Sequence, residues 1–460
     1  MIAFDPASFR DPAGRLFRHD GFIYRTVSPE ALTAFRAARE RGLVGELEEK
    51  GLLVASSLLS SADAGLPAGD VGDWVIRQPQ LPLVTYSYEW SFSMLRDAAL
   101  LTLGVLERCL AHGFVLKDAT AFNVLFEGTV PRLVDVHSLE PRKEGTLWAG
   151  YAQFCRAFLF PLLLTAYRGL DARPMLLAGL GEIGVDQAAE LMRWRDHIKP
   201  GVLMNVSVQH QLERRFGGRA EEVGKAGAKV QYPLSAVQSQ VRKLRELIEK
   251  LPLPSGDEWT SYTETHTYDD EGVSAKEGFV RSAIQGRAPR TVLDLGTNTG
   301  QYARLARSLG ARVVAVDVSA ASIDALYRSV GRDTHLSPVV ADLTRPTPAI
   351  GWRLVERRAL LDRLKGDFVL ALALIHHLRI TGGIPLSEVV GLLTELAPAG
   401  VIEWVGRDDP MVKRLLALRP DVYHDYTQPQ FEALLAGRGE IVARQPVLGG
   451  LRTLYAFQRS

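Results

Sequence analysis

Thr291-Val292-Leu293-Asp294-Leu295-Gly296-Thr297-Asn298-Thr299-Gly300 is a short apolar run ending in a turn of small residues, and the segment Gln301 to Leu309 that follows has helical spacing. The pattern predicts a buried strand, a tight turn and a helix. Gly296 and Gly300 remove the side chains that would keep a ligand away from the turn's backbone. A second apolar strand, Arg312 to Asp317, follows at βαβ distance and ends in a carboxylate suited to ribose hydroxyls. A third, Ser337 to Val340, ends at Ala341-Asp342-Leu343, where an acid and nearby backbone can meet an adenine amine. Together they predict a nucleoside site at the carboxyl ends of adjacent strands. A dinucleotide fits less well, because Asn298 and Gln301 stand at the second and third positions of the G-x-G-x-x-G fingerprint. Asp294 is placed to order the turn and the cationic end of a phosphate-free ligand.

Further along, Asp367 to Ala373 forms a fourth apolar strand leading into Leu374-Ile375-His376-His377-Leu378. His376 or His377 could serve as a general base or only shape the pocket. A metal role is disfavoured, since adjacent residues on an extended segment point to opposite faces. The fifth strand, Gly400 to Val405, carries Glu403, which needs a polar partner or a water-filled site; Arg407-Asp408-Asp409 follows. Ahead of the first strand, Trp259, Tyr262, Tyr268 and Lys276 mark a segment that either covers the ligand or packs as a helix.

These motifs resemble the class I S-adenosylmethionine-dependent methyltransferases, whose first motif is written D-x-G-x-G-x-G. Asp294, Gly296 and Gly300 match it, and Asn298 replaces the middle glycine, a mild departure because Asn tolerates left-handed backbone. The resemblance spans about residues 259 to 460. It implies an α/β fold of the Rossmann-like type, with a seven-stranded, mostly parallel sheet closed by a hairpin of Glu440 to Arg444 with Leu451 to Gln458. It implies S-adenosylmethionine as cofactor, held by Asp294, Gly296, Asn298, Gly300, Asp317, Val318, Asp342, Leu343 and Ala373. His376, His377 and Glu403 then become the candidate catalytic groups beside the methyl acceptor. Methyl transfer is an in-line displacement driven mainly by alignment, and a hydroxyl acceptor asks more of a histidine than an amine or thiolate does.

The first half has a different grammar. Residues 15 to 27 alternate around a His19-Asp20-Gly21 turn, a polar helix is expected from Pro29 to Lys50, a strand at Trp74-Val75-Ile76, and a long helix from about Trp90 to His112. Tyr151 to Leu251 is helical throughout, and Pro252 to Gly256 reads as a linker, so the expected domains are an α+β unit over 1–255 and the α/β unit over 256–460. Asp118 and Asn123, followed by the apolar strand Arg132 to Asp135, resemble the catalytic loop and metal-binding acid of protein-kinase-like phosphotransferases. The resemblance implies that Asp118 orients a hydroxyl, that Asn123 and Asp135 hold magnesium, and that Mg-ATP is a second ligand. Lys117 stands where kinases have Arg or Gly, Val136-His137 replaces the usual residues, no glycine-rich loop lies near residues 11 to 25, and no strand lysine is evident, although Arg25 sits in a plausible strand. Phosphotransfer, binding of a substrate, nucleotide or partner, and a turn-capping role for Asp118 all remain open. The pairing of such units is similar to enzymes that cap bacterial polysaccharides, with the order reversed, and to nodulation-related methyltransferases around Tyr88-Glu89-Trp90 and Lys117-Asp118-Ala119. It implies a small-molecule or glycoconjugate acceptor.

Bulk properties agree with a two-domain globular protein. The chain has 460 residues and a net charge of +1, so no nucleic-acid partner is expected. Cys109 and Cys155 lie in apolar helical stretches with no disulfide or zinc spacing. The N-terminal stretch lacks a secretory pattern, Phe158 to Tyr167 is too short to span a bilayer, and a cytoplasmic setting is expected. A methyltransferase whose kinase-like unit selects the acceptor, a bifunctional kinase and methyltransferase, and a scaffold with a degenerate site are the three readings.

Overall fold

The computed structural model describes residues 2–216, 231–254, 270–417 and 420–459. By its internal contacts the chain forms two compact units, residues 1–255 with 349–358, and residues 256–348 with 359–460. Trp259, Tyr262 and Tyr268 lie outside the described residues.

The second unit is built on seven strands: β9 (Thr291–Leu295), β10 (Arg312–Asp317), β11 (Leu336–Val340), β12 (Phe368–Ala371), β13 (Ala399–Val405), β14 (Glu440–Val447) and β15 (Arg452–Gln458). Their order is β11-β10-β9-β12-β13-β15-β14, parallel through β13, with β15 antiparallel to both its neighbours. Every residue of β11, β12 and β13 is buried, which is why these strands are continuous apolar runs rather than alternating ones. The sheet is Rossmann-like, and the closing hairpin forms where the resemblance implied, with a register shift between Ile441 and Ala443. The strand order runs outward from β9 in one direction and from β12 in the other. Their carboxyl ends therefore flank a crevice at the switch point, where open α/β sheets bind ligands.

The first unit opens with an antiparallel sheet of β1 (Leu16–His19), β2 (Phe22–Thr26), β3 (Ser57–Ser60) and β4 (Trp74–Pro79), in the order β1-β2-β4-β3. The helix expected from Pro29 to Lys50 is two helices, Pro29–Glu40 and Leu43–Glu49, because Gly42 adopts φ +79 and breaks the ladder. The helix Phe92–Ala111 starts where the Ser91 hydroxyl accepts from the Met94 N–H, and most of its residues are buried. After it come β5 (Phe114–Leu116), the hairpin β6 (Val124–Glu127) with β7 (Val130–Leu133), and β8 (Leu139–Pro141) paired with β5. The apolar run Phe158 to Tyr167 begins in a π-helical turn, Cys155–Leu159, and continues into the helix Phe160–Arg168, and both cysteines are buried and free. Among the described residues no helix is long and apolar enough to cross a membrane.

Candidate functional site

The turn after β9 is held against β10 by its own backbone: the N–H groups of Gly296 and Thr297 both donate to the Val316 carbonyl, at 2.8 and 3.1 Å. The next N–H, of Asn298, donates to Asp317 Oδ2 at 2.7 Å, and Ser319 N donates to Oδ1 at 2.9 Å. The small-residue turn and the strand-end acid therefore meet in one place. Gly296, Asn298 and Gly300 have φ of +73, +49 and +84, the left-handed region that glycine and asparagine enter most cheaply. A Cβ on Gly300 would stand 2.4 Å from Leu326 Cδ1, so the glycine also lets the helix Ala320–Val330 pack against the turn. The Asn298 side-chain oxygen is buried and has no hydrogen-bond partner among the described residues.

Asp294 lies beneath this turn, 2% exposed, accepting from the Thr297 hydroxyl at 2.6 Å. Burial pushes its carboxyl up to about 6, with the Asp317 charge adding to the rise and the Thr297 hydroxyl opposing it. Val318 is 54% exposed beside the strand-end acid, an apolar side chain open to a flat ligand. Leu343 is buried, Ala373 adopts φ +50, and Leu374 packs on the Gly296 turn, so the end of β12 also faces it. Asp342 is turned into its own loop: Oδ1 accepts from Thr344 N and Oγ1, and Oδ2 pairs with Arg345 at 3.1 Å. Burial raises its carboxyl, but these partners outweigh burial and hold it below the ordinary range.

His376 is 1% exposed, and neither ring nitrogen has a hydrogen-bond partner among the described residues. Burial, then the His377 ring, Arg452 and Lys276, hold its pKa well below the ordinary histidine value; burial and Arg452 lower His377 as well. The expected divergence of the two rings is not met. The backbone there is helical, not extended, and the centroids lie 4.2 Å apart. Glu403 is fully buried and doubly paired, with Lys276 Nζ 2.6 Å from Oε2 and Arg452 Nη1 3.3 Å from Oε1. Arg452 also holds the buried Asp409 at 2.7 Å. Arg452 was missed from sequence; its only signal is a charged residue heading an otherwise apolar strand.

In the first unit the structure places Asp135 at the end of the β6–β7 region, where Arg25 of β2 meets it. Arg25 Nη1 is 3.0 Å from Asp135 Oδ1 and 3.0 Å from Asp11 Oδ2. Asp135 Oδ2 accepts from the Ser138 hydroxyl at 2.5 Å, and Asn123 Nδ2 donates to the same Ser138 oxygen at 2.9 Å. Asp11, Asp135 and His137 bring ligand-type atoms within 4.8 Å of one another, but the Arg25 guanidinium already bridges the two acids. Asp118 is half-exposed, with Lys117 Nζ 4.0 Å away; burial raises its carboxyl, Lys117 opposes the rise, and the charges of Asp135, Asp11 and Glu140 add to it. Sequence reasoning missed Asp11 and Ser138.

The second unit is thus a Rossmann-like α/β domain whose glycine turn and strand-end acid meet at the switch point of the sheet, joined in one chain to an α+β domain in which Arg25 pairs Asp11 with Asp135. The chain belongs to the family of nodulation protein NoeA: it is 34% identical over 458 residues to that protein of Rhizobium meliloti (strain 1021), a match covering 98% of this chain and 95% of the relative. No protein-family model matches it. Similar solved structures include the N-methyltransferase NodS from Bradyrhizobium japonicum WM9, 14% identical with a TM-score of 0.31 over 42% of this chain and 98% of that one. Another is the magnesium protoporphyrin IX methyltransferase of Synechocystis PCC 6803 with bound SAH, 16% identical with a TM-score of 0.30 over 41% of this chain and 84% of that one. A third is the bifunctional kinase-methyltransferase WbdD, 18% identical with a TM-score of 0.30 over 47% of this chain and 46% of that one.

Proposed function

We propose that the chain is a cytoplasmic S-adenosylmethionine-dependent methyltransferase acting on a small-molecule or glycoconjugate acceptor, and that its first unit is a kinase-like domain that binds or presents that acceptor. The observation that carries the first part is the hydrogen bond from Asn298 N to Asp317 at the switch point of the sheet. The residues fit the cofactor: a left-handed turn without bulky side chains, an unpartnered Asn298 oxygen, and a buried acid beneath. Asp317 and Val318 would hold ribose and base, Asp342 and Leu343 the base edge, and Asp294, Gly296, Gly300 and Ala373 the amino-acid end. The donor, when bound, supplies a methyl carbon on a cationic sulfur. His376, neutral at physiological pH, is the group suited to hold the proton of a hydroxyl acceptor, with His377 stacked beside it. Glu403, paired with two cations, positions the wall behind them.

The reading of the first unit as a binder rather than a phosphotransferase rests on Arg25. Magnesium at Asp135 would have to displace the Arg25 guanidinium from one of its carboxylate oxygens and the Ser138 hydroxyl from the other.

Calorimetry with S-adenosylmethionine tests the first part. Wild type should bind, and Asp317→Ala should lose about a hundredfold in affinity while remaining folded. Absence of wild-type binding, or an unchanged Asp317→Ala, overturns it. Mass spectrometry of extract incubated with enzyme and labelled donor then identifies the acceptor. Magnesium-dependent ATP consumption that vanishes in Asp135→Ala would replace the binding role with phosphotransfer.

A further inference from the structure

The segment Trp194 to Ser207 in the first unit folds as a 3-10 turn, Trp194–Ile198, and a π-helical turn, Leu203–Ser207, linked through Pro200-Gly201. His197 Nδ1 and Ser207 Oγ lie 2.7 Å apart and tie the two turns together. Asp196, Val202 and Val206 face inward and are buried. The outward side carries Trp194 at 77% exposure, Ile198 at 84%, Leu203 at 52% and Met204 at 67%. One exposed apolar side chain is ordinary; four large ones within residues 194–204 form a patch that asks for an occupant.

The rim is basic. Arg193 and Arg195 are exposed and make no ion pair among the described residues, and the Arg195 guanidinium lies 4.9 Å from the Trp194 ring. Asp196 is buried and already paired with Lys199 at 2.7 Å and Arg168 at 3.6 Å, and on the helix Val185–Leu191 beside it the exposed Asp186 pairs with His210 at 2.8 Å, while Glu190 is exposed. An apolar centre flanked by two exposed arginines that make no ion pair among the described residues is complementary to an anionic bilayer surface, where apolar side chains enter the headgroup boundary and arginines stay at phosphate level. A second copy of the chain fits less well. Four side chains offer on the order of a few hundred Å², short of the ~800 Å² per partner of a stable interface, and the arginines would oppose each other.

We propose that this hairpin docks the protein on anionic lipid. The proposal does not depend on the methyltransferase reading, and neither Trp194 nor Ile198 belongs to the donor site. Co-sedimentation of the full chain with vesicles tests it, using phosphatidylcholine alone and phosphatidylcholine with about a third phosphatidylglycerol. Pelleting is expected with the anionic vesicles and should weaken as salt rises. Trp194→Ser/Ile198→Ser should weaken it at least about tenfold, and Arg193→Glu/Arg195→Glu should abolish the preference for the anionic vesicles. Both variants should keep the wild-type circular dichroism. No pelleting of wild type, or equal pelleting of Trp194→Ser/Ile198→Ser, overturns the proposal. So does a wild-type dimer in light scattering that the same pair breaks, which would make the occupant a second copy.

Discussion

Each unit buries a guanidinium between two carboxylates, and each buries a histidine whose ring nitrogens lack hydrogen-bond partners among the described residues. The surroundings of the two histidines are opposite. Burial first, then His377, Arg452 and Lys276, hold His376 neutral; His137 Nδ1 lies 3.7 Å from Asp11, on the acidic side of its cluster. In the proposed function, a neutral imidazole kept free of partners at the end of β12 is available to a substrate proton. An imidazole packed against the acids of an internal ion pair belongs to the structure. Charge balance alone therefore does not separate the two clusters; what surrounds the unpartnered imidazole does.

The sharpest way to break this comparison is His376→Gln, which keeps the volume and removes the base. Methyl transfer to a hydroxyl acceptor should fall about 10²–10⁴-fold. Donor affinity, read by calorimetry, should change little. His137→Gln should leave transfer unchanged. Equal losses in the two variants would erase the distinction.

Removing one cation from each cluster is expected to cost about 3 kcal/mol, because each removal leaves a buried acid short of a countercharge. Lys276→Met takes one of its two cations from the fully buried Glu403, and Arg25→Met removes the guanidinium between Asp11 and Asp135. Urea unfolding measures both. The clusters should then part company: added magnesium or manganese should raise the unfolding midpoint of Arg25→Met, where three ligand-type atoms become accessible to a cation, and should not raise that of Lys276→Met.

How much of this was legible depended on what sequence distance hides. The parallel strands were visible because burial on both faces makes them unbroken apolar runs, and Asp317 because the βαβ unit fixes its distance from the glycine turn. The partners of Glu403 were not. Arg452 lies 49 residues away and reaches Glu403 only through the antiparallel pairing of β13 with β15. Asp11 and Arg25 likewise meet Asp135 only through the tertiary fold, and nothing local marks Asp11 as the acid that shares the guanidinium. The histidine pair was misjudged for a different reason: an apolar strand pattern does not announce where extended backbone turns helical.

Acidity should separate the units by sign. The Asp294 carboxyl is raised from 3.8 to about 6, so its favourable contribution is complete below pH 3.8 and is lost as pH rises through 6, on the order of 2–3 kcal/mol. Asp11 is lowered: burial works against ionisation, but His137, the Ala13 N–H and Arg25 prevail, so its contribution is present above 3.8 and is lost as pH falls below that value. Urea unfolding between pH 4 and 7 should show the decline with rising pH, and Asp294→Asn should flatten it. Donor affinity should move the other way, rising through pH 6 as Asp294 ionises toward a cationic ligand.

The smallest effect is expected at Asn298, where the turn departs from three glycines. Asn298→Gly keeps the N–H that donates to Asp317 and relaxes a φ of +49, while it widens the conformations open to the unfolded chain. These terms oppose, so stability should change by less than about 1 kcal/mol. What glycine removes is the buried side-chain oxygen that lacks a partner among the described residues. If that oxygen accepts from the donor, affinity should fall about three- to tenfold with no loss of stability, the size of one hydrogen bond. Unchanged affinity would assign the asparagine to backbone conformation alone. Replacement by Ala at the same position separates the two contributions, since it loses the oxygen and restores the strain.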